Sequence, residues 1–203
     1  KEDYVIICGD FGTVWDDMLP DLFWPDWLDS EPWTTLFVDG NHENFELLDD
    51  YPVSRWHGGK VHFIKESVVH LMRGQIYTID GLTFFTFGGG YSCDIETRVE
   101  HRSWWQQELP TTQEWNEALN NLLQYNFHVD YIITHDCPFY IKELLHTRTI
   151  PCNLDDYTLP YLRNIDEVMD DIEQQVTYKL WFSGHLHIDQ TIYKHVILFN
   201  TIY

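Results

Sequence analysis

The sequence is short of positive charge: 12 Lys and Arg stand against 33 Asp and Glu in 203 residues, a formal net charge of −21. A surface of that sign repels a phosphate backbone, which sets long nucleic acid aside as a partner unless bound cations reverse the field locally. Long apolar runs are missing too. No stretch approaches the ~20 residues needed to cross a bilayer, and no charged, apolar, then small-residue succession marks a signal peptide. The chain therefore reads as a cytoplasmic protein with no membrane association. Cysteine is sparse and scattered: Cys8, Cys93, Cys137 and Cys152 form no C-x-x-C pair, as expected of free thiols in a reducing compartment. Repeats, low-complexity tracts and Pro/Gly/Ser-rich linkers are absent, so residues 1–203 are expected to form a single domain. The sequence opens at Lys1, not Met, close to an apolar run, and closes at Tyr203 in what reads as a last strand. Both ends are therefore read as open to clipping from a longer chain.

What is present is a globular composition, 44% hydrophobic and 16% aromatic, enough for one sizeable core. Short apolar runs at residues 4–8, 36–38, 131–133 and 180–182 have the length and residue types of buried strands. Between Val61 and Gly88 four strand-like runs (61–64, 68–71, 75–79 and 82–86) follow at short intervals, the last two joined by Asp80-Gly81, a strong hairpin signal. This middle stretch is expected to be antiparallel. Helices fall between the buried runs. Thr111 and Glu114 have capping-box spacing, and Trp115, Ala118, Leu119, Leu122 and Leu123 follow as one apolar stripe. Leu162, Ile165, Val168, Met169, Ile172 and Val176 form a second stripe, and Glu46, Leu47 and Leu48 a shorter helix. The acidic, Trp-rich residues 16–33 read as an amphipathic helix in preference to a partner surface. Strands alternating with helices imply a layered α/β domain.

The polar residues fall at telling places. Gly9-Asp10 follows the first run, Asp39-Gly40-Asn41-His42-Glu43 the second, Thr134-His135 the third, and Ser183-Gly184-His185-Leu186-His187 the fourth. Ligands of α/β sheets bind outside the carboxyl ends of the strands. A carboxylate, an amide oxygen and imidazoles without thiolate suit Mn, Fe or Zn better than a cysteine-type structural zinc site. One such histidine alone is more often structural; the ordered set points to a metal site.

Gly9-Asp10, Gly40-Asn41-His42-Glu43, Thr134-His135 with Pro138, and Gly184-His185-Leu186-His187 stand in the order found in the calcineurin-like metallophosphoesterases, and the chain resembles that family over almost its whole length. Gly9-Asp10-Phe11-Gly12 near Trp15, and Phe87-Gly88-Gly89-Gly90 before Tyr91-Ser92-Cys93-Asp94, resemble a bacterial branch of it. The resemblance implies a four-layer α/β/β/α fold, a β-sandwich flanked by helices. It also implies two divalent ions (Mn2+, Fe2+/Fe3+ or Zn2+) and hydrolysis of a phosphate mono- or diester by a metal-bound hydroxide. Asp10 would bridge the metals, Asn41, His135 and His185 would complete the second position, and His187 would serve the first. His42 would contact the phosphoryl group or protonate the leaving oxygen, with Asp39 orienting it or serving as a strand-end turn residue. The chain departs from the family in having no Asp-x-His before Asp10, which leaves the first metal only Asp10 and His187. Loss of a first strand from the chain is preferred here to a one-metal enzyme or a pseudoenzyme, because the other motif residues are all kept.

Substrate selection is expected from the segment after Gly90, where Arg98, His101, Arg102, Trp104, Trp105 and Glu108 gather. In a recognition lid, Arg98 would meet phosphate and Trp104 and Trp105 a base or ring; otherwise the tryptophans anchor the loop to the core. The expected partner is a small phosphorylated compound or a nucleotide. The competing readings are a catalytically impaired scaffold that binds a protein, and a nuclease or cyclic-nucleotide phosphodiesterase in place of a monoesterase. A serine/threonine protein phosphatase is disfavoured by Asp39, where those enzymes carry an arginine.

Overall fold

A computed structural model describes residues 1–15, 19–146 and 150–203. In chain order the elements are β1 (Tyr4–Ile7), α1 (Leu19–Ser30), β2 (Thr34–Phe37), α2 (Phe45–Asp49), β3 (Val53–Trp56), β4 (Gly59–Lys65), β5 (Val68–Leu71), β6 (Gln75–Ile79) and β7 (Leu82–Phe87). They continue with α3 (Thr112–Gln124), β8 (Tyr131–Thr134), α4 (Phe139–Leu144), α5 (Ile165–Gln175), β9 (Leu180–Ser183), β10 (Gln190–Ile192) and β11 (His195–Ile197). The protein is mixed α/β, with a five-stranded sheet ordered β1-β2-β5-β4-β3 and a six-stranded sheet ordered β10-β11-β9-β8-β7-β6.

Both sheets are mixed. β1, β2 and β5 run parallel, as do β7, β8, β9 and β11. The middle stretch is antiparallel within each of its two hairpins, β4 with β5 and β6 with β7. It is not one meander, however. Residues 72–74 carry the chain from the first sheet to the second, so the two hairpins belong to different sheets and each donates one strand to parallel pairing. The Asp80-Gly81 turn takes positive φ at both residues, 50° and 79°, the twist that a two-residue hairpin needs.

Leu36, Val38, Val61, Val69 and Leu71 of the first sheet share one buried cluster with Tyr77, Ile79 and Ile133 of the second. The sheets therefore face each other across an apolar layer. On the outer face of the six-stranded sheet, Phe85, Phe87 and Ile132 pack with Trp115, Ala118 and Leu122 of α3 and with Val168, Met169 and Ile172 of α5. On the outer face of the five-stranded sheet, Phe37, Ile64 and Val68 pack with Leu28 of α1 and Leu48 of α2. Among the described residues no helix is long and apolar enough to cross a membrane, and all four cysteines are free.

Some local expectations are corrected. The capping box of α3 forms, Glu114 N–H donating to Thr111 Oγ1 at 3.2 Å and Thr111 N–H to the Glu114 carboxylate at 2.7 Å, but Leu123 points outward at 62% exposure. It lies 100° beyond Leu122 on the helix, past the buried stripe. Helix α1 falls inside residues 16–33, of which Asp16, Asp17 and Met18 lie outside the described residues. Its aromatic residues Phe23, Trp24 and Trp27 face solvent. The chain does not end in a strand: β11 stops at Ile197, and the N–H groups of Phe199, Asn200 and Thr201 turn back to the Asp189 carboxylate. The difference between the two neighbouring leucines is measurable. Leu122→Ala is expected to lower unfolding free energy by about 2–5 kcal/mol through a core cavity, and Leu123→Ala by less than about 0.5 kcal/mol; urea titrations of both variants check it, and equal losses would refute the assigned helix face.

Candidate active site

The carboxyl ends of β1 and β2 in one sheet meet those of β8 and β9 in the other. Asp10 stands just beyond β1, residues 39–43 beyond β2, His135 directly after β8, and His185 and His187 after β9. The backbone turns sharply at these points. Asp10, His185 and His187 take φ values of 52°, 62° and 52°, a region that costs a non-glycine residue roughly 1–2 kcal/mol. Gly40 is required by closeness: a Cβ there would fall 2.1 Å from Asp10 Oδ1.

Four donor atoms converge. Asn41 Oδ1 lies 3.0 Å from His135 Nε2 and 3.1 Å from His185 Nδ1, His135 Nε2 lies 3.2 Å from His185 Nδ1, and Asp10 Oδ1 is 3.3 Å from His135 Nε2. The tautomer of His135 follows from its other nitrogen: Nδ1 is 2.8 Å from the Cys8 carbonyl, which can only accept, so Nδ1 carries the proton and the Nε2 lone pair faces the cleft. Burial pushes His185 down to about 4, which keeps the ring neutral near pH 7. At Asp10 burial alone would raise the carboxyl, but the His135 ring and the His42 N–H, which donates to Oδ1 at 3.0 Å, bring it below its ordinary value. Asp10, Asn41 and His135 thus bring acceptor atoms close together, with His185 Nδ1 beside two of them. Oxygen and nitrogen donors held ~2.1 Å from a cation lie about 3 Å from one another when adjacent, close to the 3.0–3.3 Å separations here. Among the described residues, His, Cys, Asp and Glu side chains by themselves make no group of three around a cation position. The Asn41 amide oxygen is the fourth acceptor of the cluster. His187 is apart from it, exposed and stacked on Phe199 at 4.9 Å.

His42 is half-buried above the cluster, and burial with the neighbouring Arg98 charge lowers its pKa. Arg98 Nη1 donates to His42 Nδ1 at 2.9 Å, while its Nε and Nη2 pair with Asp94 at 2.7 and 2.9 Å. Arg98, Asp94, Ser92, Tyr91 and Cys93 wall a cleft of about 300 Å³ that also reaches Asp10, Asn41, His185 and His187. The two tryptophans expected with Arg98 are elsewhere. Trp104 is 8% exposed within the helix-side core, and Trp105 is 1% exposed with its ring edge against Trp15. Neither lines that cleft, so both anchor the loop.

Asp39 is also placed differently from the expectation that it orients His42. Its carboxylate accepts from Arg73 Nε and Nη2 at 2.8 and 2.6 Å and lies 3.2 Å from His70 Nε2, all three residues being buried. Burial alone would raise its pKa, but the Arg73 guanidinium and His70 hold it well below the usual carboxylate range. Glu43 was not picked out by sequence reasoning, although it belongs to the Gly40-Asn41-His42-Glu43 segment. It accepts the N–H groups of Phe11, Gly12 and Gly40 at 2.8, 3.1 and 3.3 Å and so ties the Asp10 loop to the β2 loop. Asp136 and Lys142 also escaped notice. They pair at 2.6 Å, Lys142 also reaching Asp166 at 2.7 Å, in buried positions beneath His185.

β1 is an edge strand, and beside it runs a groove of about 600 Å³. Its walls include Ile6, Cys8, Phe84, Ile133, Phe182 and Tyr203, and it reaches Asp10, His135, His185 and His187. A scan against protein-family models and a search of the curated proteins each find no match to this chain.

The Asp39 geometry generates a test. Asp39→Ala would strip buried Arg73 of its two-point partner and leave it Glu114 at 3.4 Å and the Gln107 and Glu108 carbonyls, a change expected to cost up to about 3–5 kcal/mol of stability. Since the folded pKa of Asp39 lies below its unfolded value of about 3.9, the carboxylate's contribution is intact above that pH and is lost as pH falls through the folded value. Urea unfolding of wild type and variant between pH 7 and pH 2 checks both points; a stable Asp39→Ala protein would return Asp39 to the cleft.

Proposed function

We propose that the chain is a metal-dependent phosphoesterase with the four-layer fold of the calcineurin-like metallophosphoesterases. The observation that carries this reading is the convergence of Asp10 Oδ1, Asn41 Oδ1, His135 Nε2 and the His185 ring at the ends of four strands from two sheets. These residues would hold one divalent cation, with Mn2+, Fe2+/Fe3+ or Zn2+ as the candidates by donor type. When bound, the cation supplies charge neutralisation at the phosphoryl oxygens and activation of water.

The chain's own residues do the rest. Arg98 lines the cleft, held by Asp94, His42 and the Ser103 carbonyl, and its guanidinium would turn to a phosphoryl oxygen by giving up its contacts to His42. His42, whose ring meets Arg98 at both nitrogens and the Asn41 amide at Nε2 from the wall of the cleft, would be the group that protonates the departing alkoxide. The cleft of about 300 Å³ suits a small phosphorylated compound or a nucleotide. Free cysteines suit a reducing compartment such as the cytoplasm. A second metal would have Asp10 and His187 from this chain. The groove beside β1 has room for an added strand bearing further ligands, as the Asp-x-His strand of that family does.

A second reading, a scaffold that binds a protein partner through the same fold, is favoured by the placement of His187. The ring lies on Phe199 in solvent and stands outside the four-donor cluster.

Elemental analysis after equilibration with Mn2+, together with hydrolysis of a model monoester and a model diester, separates the two readings. One or two Mn2+ per chain with turnover is expected, and His42→Ala should keep the metal while losing roughly 10²–10⁴-fold in turnover. The ratio of monoester to diester rates assigns the substrate class. A chain that takes up no Mn2+ and turns over neither ester is a scaffold, and unchanged turnover in His42→Ala would remove that residue from the chemistry.

A further inference from the structure

Asn41 is the one donor of the cluster whose orientation its own chemistry leaves open. Its amide presents an oxygen from one side and an NH2 from the other, and only the oxygen can meet a cation. The side chain is 4% exposed, so water does not choose between the two orientations. The choice is made by its neighbour: Asn41 Nδ2 donates to Ser92 Oγ at 2.9 Å. A serine hydroxyl can itself donate or accept, which moves the question one residue further. Ser92 Oγ–H donates to Glu108 Oε2 at 2.8 Å, and Ser92 N–H donates to Glu108 Oε1 at 3.1 Å. Tyr157 O–H donates to that same Oε1. Glu108 is fully buried and Ser92 2% exposed. The single hydroxyl proton of Ser92 is thus committed to the carboxylate, which leaves only lone pairs toward Asn41.

We propose that Ser92 and Glu108 are positioning residues that fix the Asn41 amide with its oxygen toward the cation site. In its ionised form Glu108 is acceptor-only at the end of the relay and sets its direction, Ser92 passes that direction on, and Asn41 delivers an oxygen lone pair 3.0 Å from His135 Nε2. Ser92 comes from the loop after β7, Glu108 from the turn before α3, and Tyr157 from the segment before α5. Three separate loops therefore hold one side chain in the direction the site needs. The inference rests on the metal reading above only in naming what the oxygen faces; the amide orientation itself is a property of the metal-free chain.

Glu108→Gln is the informative variant, because it keeps shape and burial while replacing an acceptor with a possible donor and so reverses the relay. Ser92→Ala cuts it, and Ser92→Thr keeps the hydroxyl. Titration calorimetry with Mn2+ should show affinity about 10–100-fold weaker in Glu108→Gln and Ser92→Ala, with recovery in Ser92→Thr. The side-chain amide resonances of Asn41 should shift in the metal-free form of the same two variants, while thermal midpoints of the metal-free proteins change little. Mn2+ affinity within about threefold of wild type in both variants would overturn the proposal, since orienting partners of ligands matter by more than that. A wild-type chain that binds no Mn2+ would instead overturn the metal reading. The relay would then be judged on the metal-free amide resonances, and their constancy in Glu108→Gln would end it as well.

Discussion

Leu36, Val69 and Leu71 of one sheet meet Tyr77, Ile79 and Ile133 of the other in a continuous apolar layer, and everything in the cleft depends on that contact. The donor atoms are far apart in the chain. Asn41 is 94 residues from His135 and 144 from His185, and neither β2 nor β8 and β9 alone could bring them together. Face-to-face packing of two sheets does so only if the strands carrying the donors end at the same rim. β1, β2, β8 and β9 do. Burial of large side chains at roughly 25 cal/mol per Å² drives the packing, and the close-packed interior leaves little freedom for the rim to shift. The polar cluster is therefore assembled by apolar contacts that lie beneath it.

Charge is handled in two distinct ways. Buried structural acids are offset in two ways: Asp39 pairs with Arg73 and Asp136 and Asp166 share Lys142, while Glu43 and Glu108 are held by hydrogen-bond donors. Such pairs offset the cost of burying a carboxylate, and removing one partner leaves the other exposed to the full penalty. At the strand ends the pattern reverses. Asp10, Asn41 and His135 turn acceptor atoms toward one another at 3.0–3.3 Å, and the protons that could separate them are committed elsewhere, His135 Nδ1–H to Cys8 and the Asn41 amide to Ser92. In a protein of net charge −21, clustered acceptors of this kind are what a bound cation would offset in the metal-dependent reading proposed above.

The strands that matter most for the site were legible because they are short, apolar and rich in β-branched and aromatic residues, and because an Asp, Asn or His follows each. Both helical stripes were legible from their 3.6-residue period, apart from Leu123. What escaped has a common cause, contacts distant in sequence. The partner of Asp39 is Arg73, 34 residues away in the other hairpin connection, and no local pattern joins them. Trp104 and Trp105 sit in a loop of mixed charge that reads as a lid, but Tyr157 and Trp15 receive their rings inside the protein. The short strands β3, β10 and β11 have three or four residues each, too few for a period to show. The division of the middle stretch between two sheets could not be read either, because a hairpin has the same sequence pattern whichever sheet it joins.

Backbone strain weighs on the choice between a catalytic centre and an inert scaffold. Asp10, His185 and His187 all take left-handed backbone angles, at roughly 1–2 kcal/mol apiece for a non-glycine residue. Glycine would adopt those angles with no such cost, and Gly9 and Gly184 next to them show that the chain uses glycine in these turns. Strain of this kind persists where the side chain at the strained position is needed and the surroundings hold it in place. For Asp10 the surroundings do so through Glu43 on the neighbouring backbone and the His42 N–H, and for His185 through Asn41 and His135. For His187 the only described ring partner is Phe199, at an exposed position. The strain argument thus bears on Asp10 and His185 alone among the four clustered donors, and it singles out His187 as the strained residue whose place would be settled by what else enters the groove beside β1.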